Sequence, residues 1–168
     1  MISFKTVIKH LPNVITLLNL VSGCMSIVAA FEGRLELAGV FILIAAVFDF
    51  LDGFTARLIG AYTLLGKELD SLSDVVSFGI APSMILFQLL KNSMGYEVGL
   101  ELTSGHVVLA IPFIMAAFSA LRLGLFNLDE RQTSSFIGLP TPANAMFTVG
   151  LVLGVSSNWG SLFSYIIS

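Results

Sequence analysis

Four aspartates stand in two pairs inside an otherwise apolar stretch of this sequence. Asp49 and Asp52 are three residues apart, and Asp70 and Asp74 are four apart, so each pair shares one face of a helix. Residues 49–74 contain five acidic residues and two basic ones, a net charge of −3. Carboxylates this close in a medium of low dielectric constant repel one another strongly unless cations bind between them.

The residue types favour a particular class of cation. Oxygen ligands without a nearby histidine or thiolate favour hard divalent ions, Mg²⁺ or Mn²⁺, with Ca²⁺ as a third choice. Two such ions can clamp a diphosphate and stabilise its displacement. Salt bridges with Arg57 and Lys67 are the alternative, but they leave three of the five acids unpaired. Gly53, Ala56 and Gly66 lie among these charges, where small residues let a flat ligand approach the backbone.

The elements that carry these residues are predicted to be membrane-spanning helices. Of the 168 residues, 56% are hydrophobic and 11% are charged, whereas a soluble domain is closer to about a quarter charged. A spanning helix needs about 20 mostly apolar residues. Five segments qualify, and a short or truncated sixth begins near Trp159; the five are residues 13–31, 35–59, 71–90, 106–127 and 139–157. The fold class predicted is an all-α polytopic membrane bundle, a single domain over residues 1–168.

The residues before the bundle at 13–168 are predicted to form a separate short element. Residues 1–11 carry apolar side chains at helical spacing, with two lysines off that stripe and Pro12 after it. This pattern is typical of an amphipathic helix that lies in the membrane interface. A disordered terminus is the alternative, because the stripe is only two turns long.

Cationic residues predict the orientation. If the segments alternate, only Arg34 and Lys91 fall on one side of the membrane. The other six fall on the opposite side: Lys5, Lys9, Arg57, Lys67, Arg122 and Arg131. Because lysine and arginine are enriched on the cytoplasmic side, the amino terminus and both aspartate pairs are expected on the cytoplasmic side of the cell membrane.

The spacing of the charged and small residues is that of a known signature. From Asp49 to Asp74 the sequence reads D-x2-D-G-x2-A-R-x8-G-x3-D-x3-D, which resembles at every fixed position the signature of the CDP-alcohol phosphotransferase family. LPNVITLLNLVSGCMSI, LRLGLFN and GLPTPANA, at residues 11–27, 121–127 and 138–145, resemble the phosphatidylserine synthase branch of that family. The short carboxyl end departs from the six full spans usual in the family.

The resemblance implies a transfer reaction on a CDP-linked lipid, either CDP-diacylglycerol or an archaeal ether equivalent. Two divalent ions held by the aspartates would bind its diphosphate, and the hydroxyl of L-serine would displace CMP. Asp74 would also act as the general base on that hydroxyl. The implied metal ligands are Asp49, Asp52, Asp70 and Asp74. The implied CDP-lipid residues are Asn13, Thr16, Gly53, Ala56, Arg57 and Gly66, and those for the serine carboxylate are Arg122, Arg131 and Lys67. A homodimer is implied as well.

Several of these residues have plainer interpretations. Asn13 is equally suited to capping a helix and Thr16 to bonding its own backbone, while Arg122 near a membrane interface could extend its charge to water. Glycerol phosphate and inositol phosphate are alternative acceptors, although each calls for a more basic pocket. Membrane prenyltransferases and cation transporters are the rival classes, and no nucleic-acid partner is expected. The single cysteine, Cys24, excludes disulfides and cysteine-based metal clusters.

Overall fold

The described part of the chain consists of helices and short turns. The computed structural model describes residues 10–95, 104–128 and 141–155, and no strand occurs among them. The α-helices are α1 Leu11–Phe31, α2 Leu35–Ile59, α3 Leu64–Asp74, α4 Ala81–Ser93, α5 Ser104–Leu128 and α6 Thr141–Val155. A π-helical segment, Val75–Ile80, joins α3 to α4, so that Leu64–Ser93 is one helical rod of 30 residues. The prediction of an all-α protein is confirmed for the described residues.

Four of the described helices are long and apolar enough to cross a membrane. They are Leu11–Phe31, Leu35–Ile59, Leu64–Ser93 and Val108–Leu125. Large apolar side chains on their outer faces are exposed, for example Phe50 and Phe118 at 70% and 65%, an arrangement that suits contact with lipid. The chain is therefore an integral membrane protein.

Some of the sequence predictions lie outside the described residues. The amphipathic helix proposed over residues 1–11 falls almost entirely there, as does the short segment near Trp159. The fifth predicted span contains α6, which has 15 described residues. The number of full spans therefore stays a prediction.

The third helix begins earlier than the sequence pattern predicts. Its apolar run starts at residue 71, but the helix starts at Leu64, which places Asp70 and Asp74 inside it rather than at its head. Thr63 is the reason, because its hydroxyl accepts a hydrogen bond from the backbone N–H of Gly66 at 2.9 Å and caps the helix. Gly60, at φ 63°, ends α2 in the left-handed conformation. Only residues 60–63 connect the two helices.

Small residues and interhelical hydrogen bonds hold the bundle together. α1 and α2 are antiparallel and make the most extensive contact, in which the Ser26 hydroxyl donates to the Ala38 carbonyl at 2.8 Å. The Gln88 side chain of α4 donates to the last carbonyls of α1, at 2.9 and 3.0 Å, and so satisfies groups that a helix end leaves unpaired. Much of the core is alanine: Ala29, Ala30, Ala38, Ala45, Ala81 and Ala145. Such packing is typical of helices within a membrane.

Two contacts fix the direction of α5. The rings of Phe87 and Phe113 lie with centroids 5.7 Å apart. A Cβ atom on Gly79 would lie 3.4 Å from Cβ of Ser119. Since the residue number on α5 rises as the number on the rod falls, α5 runs antiparallel to the rod formed by Leu64–Ser93.

Candidate active site

Three of the four aspartates converge at one point. Asp49, Asp70 and Asp74 each offer a carboxylate oxygen, and these three oxygens all lie within 4.8 Å of one another. Asp49 comes from the second half of α2, and the other two come from successive turns of α3. We refer to these three residues as the carboxylate cluster. All three are half-buried, so the negative charges are brought together where water screens them incompletely.

The helices that carry the cluster are both supported by α1. α2 and α3 each pack against α1, while they make few direct backbone contacts with each other. The sequence predicted convergence because α2 and α3 are joined by a short link, and the carboxylates do converge. The supporting role of α1 was not predicted, because a hydropathy pattern does not say which helix faces which.

Asp52 occupies a different position from the cluster. It is 5% exposed and lies at the edge of a cavity of about 190 Å³ that Asp70 also lines. Within the described part of the chain, Oδ2 of Asp52 and Oδ1 of Asp74 are buried without a hydrogen-bond partner. Buried carboxylate oxygens are costly unless a proton donor or a cation satisfies them. The donors present therefore fit a hard divalent cation.

The cavity contains most of the residues that the resemblance assigned to the CDP-linked lipid. It opens between α1, α2 and α3, beside the carboxylate cluster. The predicted residues that line it are Asn13, Thr16, Gly53, Ala56 and Gly66. Gly66 has a clear steric role, since a Cβ atom there would lie 3.0 Å from Oδ1 of Asn13. That spacing is tighter than ordinary contacts, so glycine lets α3 come close to α1 at the mouth of the cavity.

The plainer interpretations of Asn13 and Thr16 have different outcomes. Asn13 does not cap α1, because the cap position is His10 and Asn13 lies buried in the first turn. The alternative for Thr16 is confirmed, since its hydroxyl donates to the Pro12 carbonyl at 3.0 Å. The Thr16 oxygen retains lone pairs, and it still faces the cavity.

The predicted cationic residues are dispersed. Lys67 lines the cavity, whereas Arg57 is exposed in the last turn of α2 and does not line it. Arg122 is half-buried on α5, one turn beyond Ser119. Because α5 is antiparallel to the rod, this turn lies toward the level of Asp74. Arg131 lies outside the described residues.

Sequence reasoning missed part of the cavity wall. Pro12, Ala61, Tyr62 and Thr63 also line it. The last three belong to the connection between α2 and α3, which hydropathy alone marks only as a short link. A signal for them was present, because Gly60 ends one helix and the T-x-x-G pattern from Thr63 begins the next. These two boundaries leave a connection of four residues, and three of them line the cavity.

These features define an integral membrane protein with a carboxylate site that fits divalent cations beside a cavity of about 190 Å³. Comparison with known proteins then gives the family. The family model of the CDP-alcohol phosphatidyltransferases matches residues 9–167, so the chain belongs to that family, and the resemblance seen in the sequence is confirmed.

Individual relatives agree with this assignment. The chain is 35% identical over 144 residues to a CDP-diacylglycerol–serine O-phosphatidyltransferase of Helicobacter pylori, covering 84% of this chain and 56% of the relative. It is 33% identical over 138 residues to an archaetidylserine synthase of Methanothermobacter thermautotrophicus, covering 81% and 54%. A serine O-phosphatidyltransferase of Methanocaldococcus jannaschii is 35% identical over 158 residues, covering 94% and 67%. The chain thus spans about half the length of the first two relatives.

Proposed function

We propose that this protein transfers a phosphatidyl-type group from a CDP-linked lipid to the hydroxyl of L-serine and releases CMP. One observation carries the proposal: the carboxylate cluster lies beside a cavity. Five of the six residues expected to bind the CDP-lipid line that cavity. The printed names of the relatives, serine O-phosphatidyltransferase and archaetidylserine synthase, support the same reaction.

In this proposal the aspartates hold divalent cations at the diphosphate. Asp49, Asp70 and Asp74 are the ligands whose oxygens already lie together, and Asp52 adds its buried, unpartnered oxygen from the cavity side. Bound Mg²⁺ or Mn²⁺ would neutralise the diphosphate charge and make its phosphorus easier to attack. Without such neutralisation, a dianionic diphosphate would be repelled by the four carboxylates.

Asp74 is the proposed general base. It belongs to the carboxylate cluster and keeps one buried oxygen without a partner in the described part of the chain. The proton of the serine hydroxyl passes to this carboxylate as the serine oxygen bonds to the lipid phosphorus. The bond from that phosphorus to CMP breaks, and CMP leaves with the electron pair. A hydroxyl with a pKa far above 7 needs such a proton acceptor.

The cavity provides the site for the cytidine and diphosphate. Three of its lining residues have little or no side chain and leave room for a ligand: Gly53, Ala56 and Gly66. Two polar residues of α1, Asn13 and Thr16, also line it. Lys67 at the cavity and Arg57 one turn after Gly53 are the proposed partners of phosphate oxygens. Lys67 is also a candidate for the serine carboxylate.

Arg122 is the proposed principal partner of the serine carboxylate, with Arg131 as a second. The half-buried position of Arg122, toward the level of Asp74, supports this role. Glycerol phosphate and inositol phosphate remain the alternative acceptors, and each would bring a second phosphate to a site with few basic residues.

The acceptor and the lipid are tested together. Purified protein is given CDP-diacylglycerol or its archaeal ether equivalent with Mg²⁺ or Mn²⁺, and each of L-serine, glycerol 3-phosphate and inositol phosphate in turn. We expect CMP release with L-serine and little with the phosphorylated acceptors. Faster release with either phosphorylated acceptor would contradict serine as the substrate while leaving the family chemistry intact.

The setting of the enzyme is also proposed. The excess of lysine and arginine at one end of the helices supports a cytoplasmic amino terminus and active site in the cell membrane. The whole of residues 1–168 is proposed to act as one domain, with residues 1–11 in the interface and residues 13–168 in the bundle, and to pair as a homodimer.

A further inference from the structure

The contact between α1 and the rod Leu64–Ser93 is unusually close at one level. A Cβ atom on Gly23 of α1 would lie 2.8 Å from Cα of Ser77 and would collide with its hydroxyl oxygen. Real Cβ atoms do not approach backbone atoms so closely, and a backbone atom cannot move aside as a flexible side chain does. Only glycine at position 23 therefore allows the two backbones this separation.

Two serine hydroxyls bond the rod to α1, that of Ser77 beside this close contact and that of Ser73 one turn of the rod away. Ser73 donates to the carbonyl of Thr16 at 3.2 Å, and Ser77 donates to the carbonyl of Asn19 at 3.1 Å. Both serines are fully buried. They are four residues apart and share one face of the rod, and Asp74 lies between them in sequence. We call Gly23, Ser73 and Ser77 the α1 seam.

The seam includes the point at which the helix changes geometry. The π-helical segment begins at Val75, directly after Asp74, and Ser77 lies within it. A π-helical turn contains an extra residue and rotates the residues after it relative to those before it. The Ser77 bond to α1 therefore lies in the segment where the rod changes its rotation.

Rotation matters here because each residue of a helix is turned by about 100° from the last. Asp70 and Asp74 meet Asp49 only if the rod has one rotation and one distance relative to α2. α2 makes few direct backbone contacts with α3 and a limited set with the π-helical segment and α4, whereas α1 packs along the whole rod and also along α2. That relation therefore depends mainly on the contacts that α2 and the rod each make with α1. We propose that the α1 seam positions Asp70 and Asp74 against Asp49 and thereby sets the affinity of the carboxylate cluster for divalent cations. This inference rests on the metal-binding part of the proposed function.

The test removes one hydroxyl and measures metal binding. Binding of Mn²⁺ to the purified full chain, without substrates, is followed by electron paramagnetic resonance. Ser77→Ala should weaken binding roughly tenfold or more, the usual effect of losing a contact that orients metal ligands. Ser83→Ala is the matched control, because Ser83 is equally buried in the same rod but donates to Gly79 of its own helix. The control should stay within about twofold of the original protein, as expected of a change that reorients no ligand.

A second pair of variants tests the close approach itself. Gly23→Ala should weaken Mn²⁺ binding at least as much as Ser77→Ala, because the added methyl pushes the rod away. Gly39→Ala is its control, since a Cβ there would meet only Val149 at an ordinary 3.5 Å. If Ser77→Ala or Gly23→Ala does not fold, Mn²⁺ binding is measured for Ser73→Ala instead, and it should be weakened in the same way.

The outcomes separate this inference from the proposed function. Seam variants that fold and bind Mn²⁺ as tightly as Ser83→Ala would overturn the inference, even if the original protein transfers lipid to serine. A protein that binds Mn²⁺, loses that binding in the seam variants and transfers nothing to serine would instead contradict the proposed function and support the inference.

Discussion

At the scale of single residues, Asp74 and Asp49 of the carboxylate cluster have different proposed roles. Asp74→Asn keeps the shape of the side chain but removes a usable proton acceptor. CDP-lipid and metal should still bind, while the rate of CMP release falls by a factor on the order of 10²–10⁴. Asp49→Asn should instead weaken metal binding, because it lowers the negative charge that attracts the cations. Metal titration of CDP-lipid binding in both variants distinguishes these effects.

Loss of binding in the Asp74 variant would assign a different role to this residue. If Asp74→Asn binds neither metal nor CDP-lipid, then Asp74 is chiefly a metal ligand. The general base would then have to be another group.

A second prediction at the residue scale concerns the acceptor. Arg122→Ala should raise the KM for serine roughly tenfold or more and change the KM for CDP-lipid much less, since a charge-assisted bond to the serine carboxylate is lost. Arg34→Ala, in the exposed turn before α2 at the other end of the bundle, is the control and should change neither KM. Equal effects on both substrates would assign Arg122 to the lipid site or to packing.

The site residues that could be predicted from the sequence are those whose type and spacing along the chain indicate chemistry. The aspartates and the small residues around Gly53 and Gly66 were identified because their types and intervals are set by the chemistry and by helix geometry. Tyr62 and Ala61 were missed, because neither side chain carries such chemistry and only the folded connection brings them to the cavity. The alternative that Asn13 caps a helix was wrong, since α1 begins at Leu11, two residues before the start of the predicted segment, and Asn13 lies within its first turn.

At the scale of elements, the boundaries around the site depend on caps rather than on hydropathy. The first two turns of α3 include Gly66, Lys67, Glu68 and Asp70, so the apolar run begins seven residues after Leu64. The hydrogen bond from Gly66 to Thr63 marks the true start of the helix. The supporting position of α1 was not predictable, because it depends on contacts between residues more than fifty positions apart. The π-helical segment was not predictable from the apolar pattern, which does not distinguish a π-helical turn from an α-helical one.

The cap of α3 gives a prediction for stability. Thr63→Ala should lower the free energy of unfolding by about 1 kcal/mol, the usual effect of removing a capping hydroxyl. Thr63→Ser keeps the acceptor and should restore nearly all of it. Thermal unfolding in detergent compares the two variants. Equal stability of Thr63→Ala and the original protein would show that the cap does not hold the start of α3.

At the scale of the whole molecule, the bundle leaves much apolar surface on its outer faces. Phe147 and Val47 are 65% and 57% exposed, and lipid or a second copy of the chain can cover such surface. Composition was sufficient to predict a helical membrane protein, because only 11% of the residues are charged, whereas a soluble domain contains about a quarter. It could not predict which outer faces meet lipid and which meet another chain.

The proposed homodimer is tested by mass. A chain of 18.0 kDa should elute from detergent with a protein mass twice that of the monomer, measured by light scattering with the detergent contribution subtracted. A species of monomer mass that retains full transfer activity would count against the dimer.

The proposed transfer of the lipid phosphate to serine requires that the aspartates act through bound divalent cations. The most direct measurement is CMP release from CDP-diacylglycerol by the purified protein, with and without L-serine, across a titration of chelator and Mn²⁺. Release should require serine, stop in excess chelator, and return when Mn²⁺ exceeds the chelator. Full turnover in excess chelator, or release at the same rate without serine, would contradict the proposed transfer.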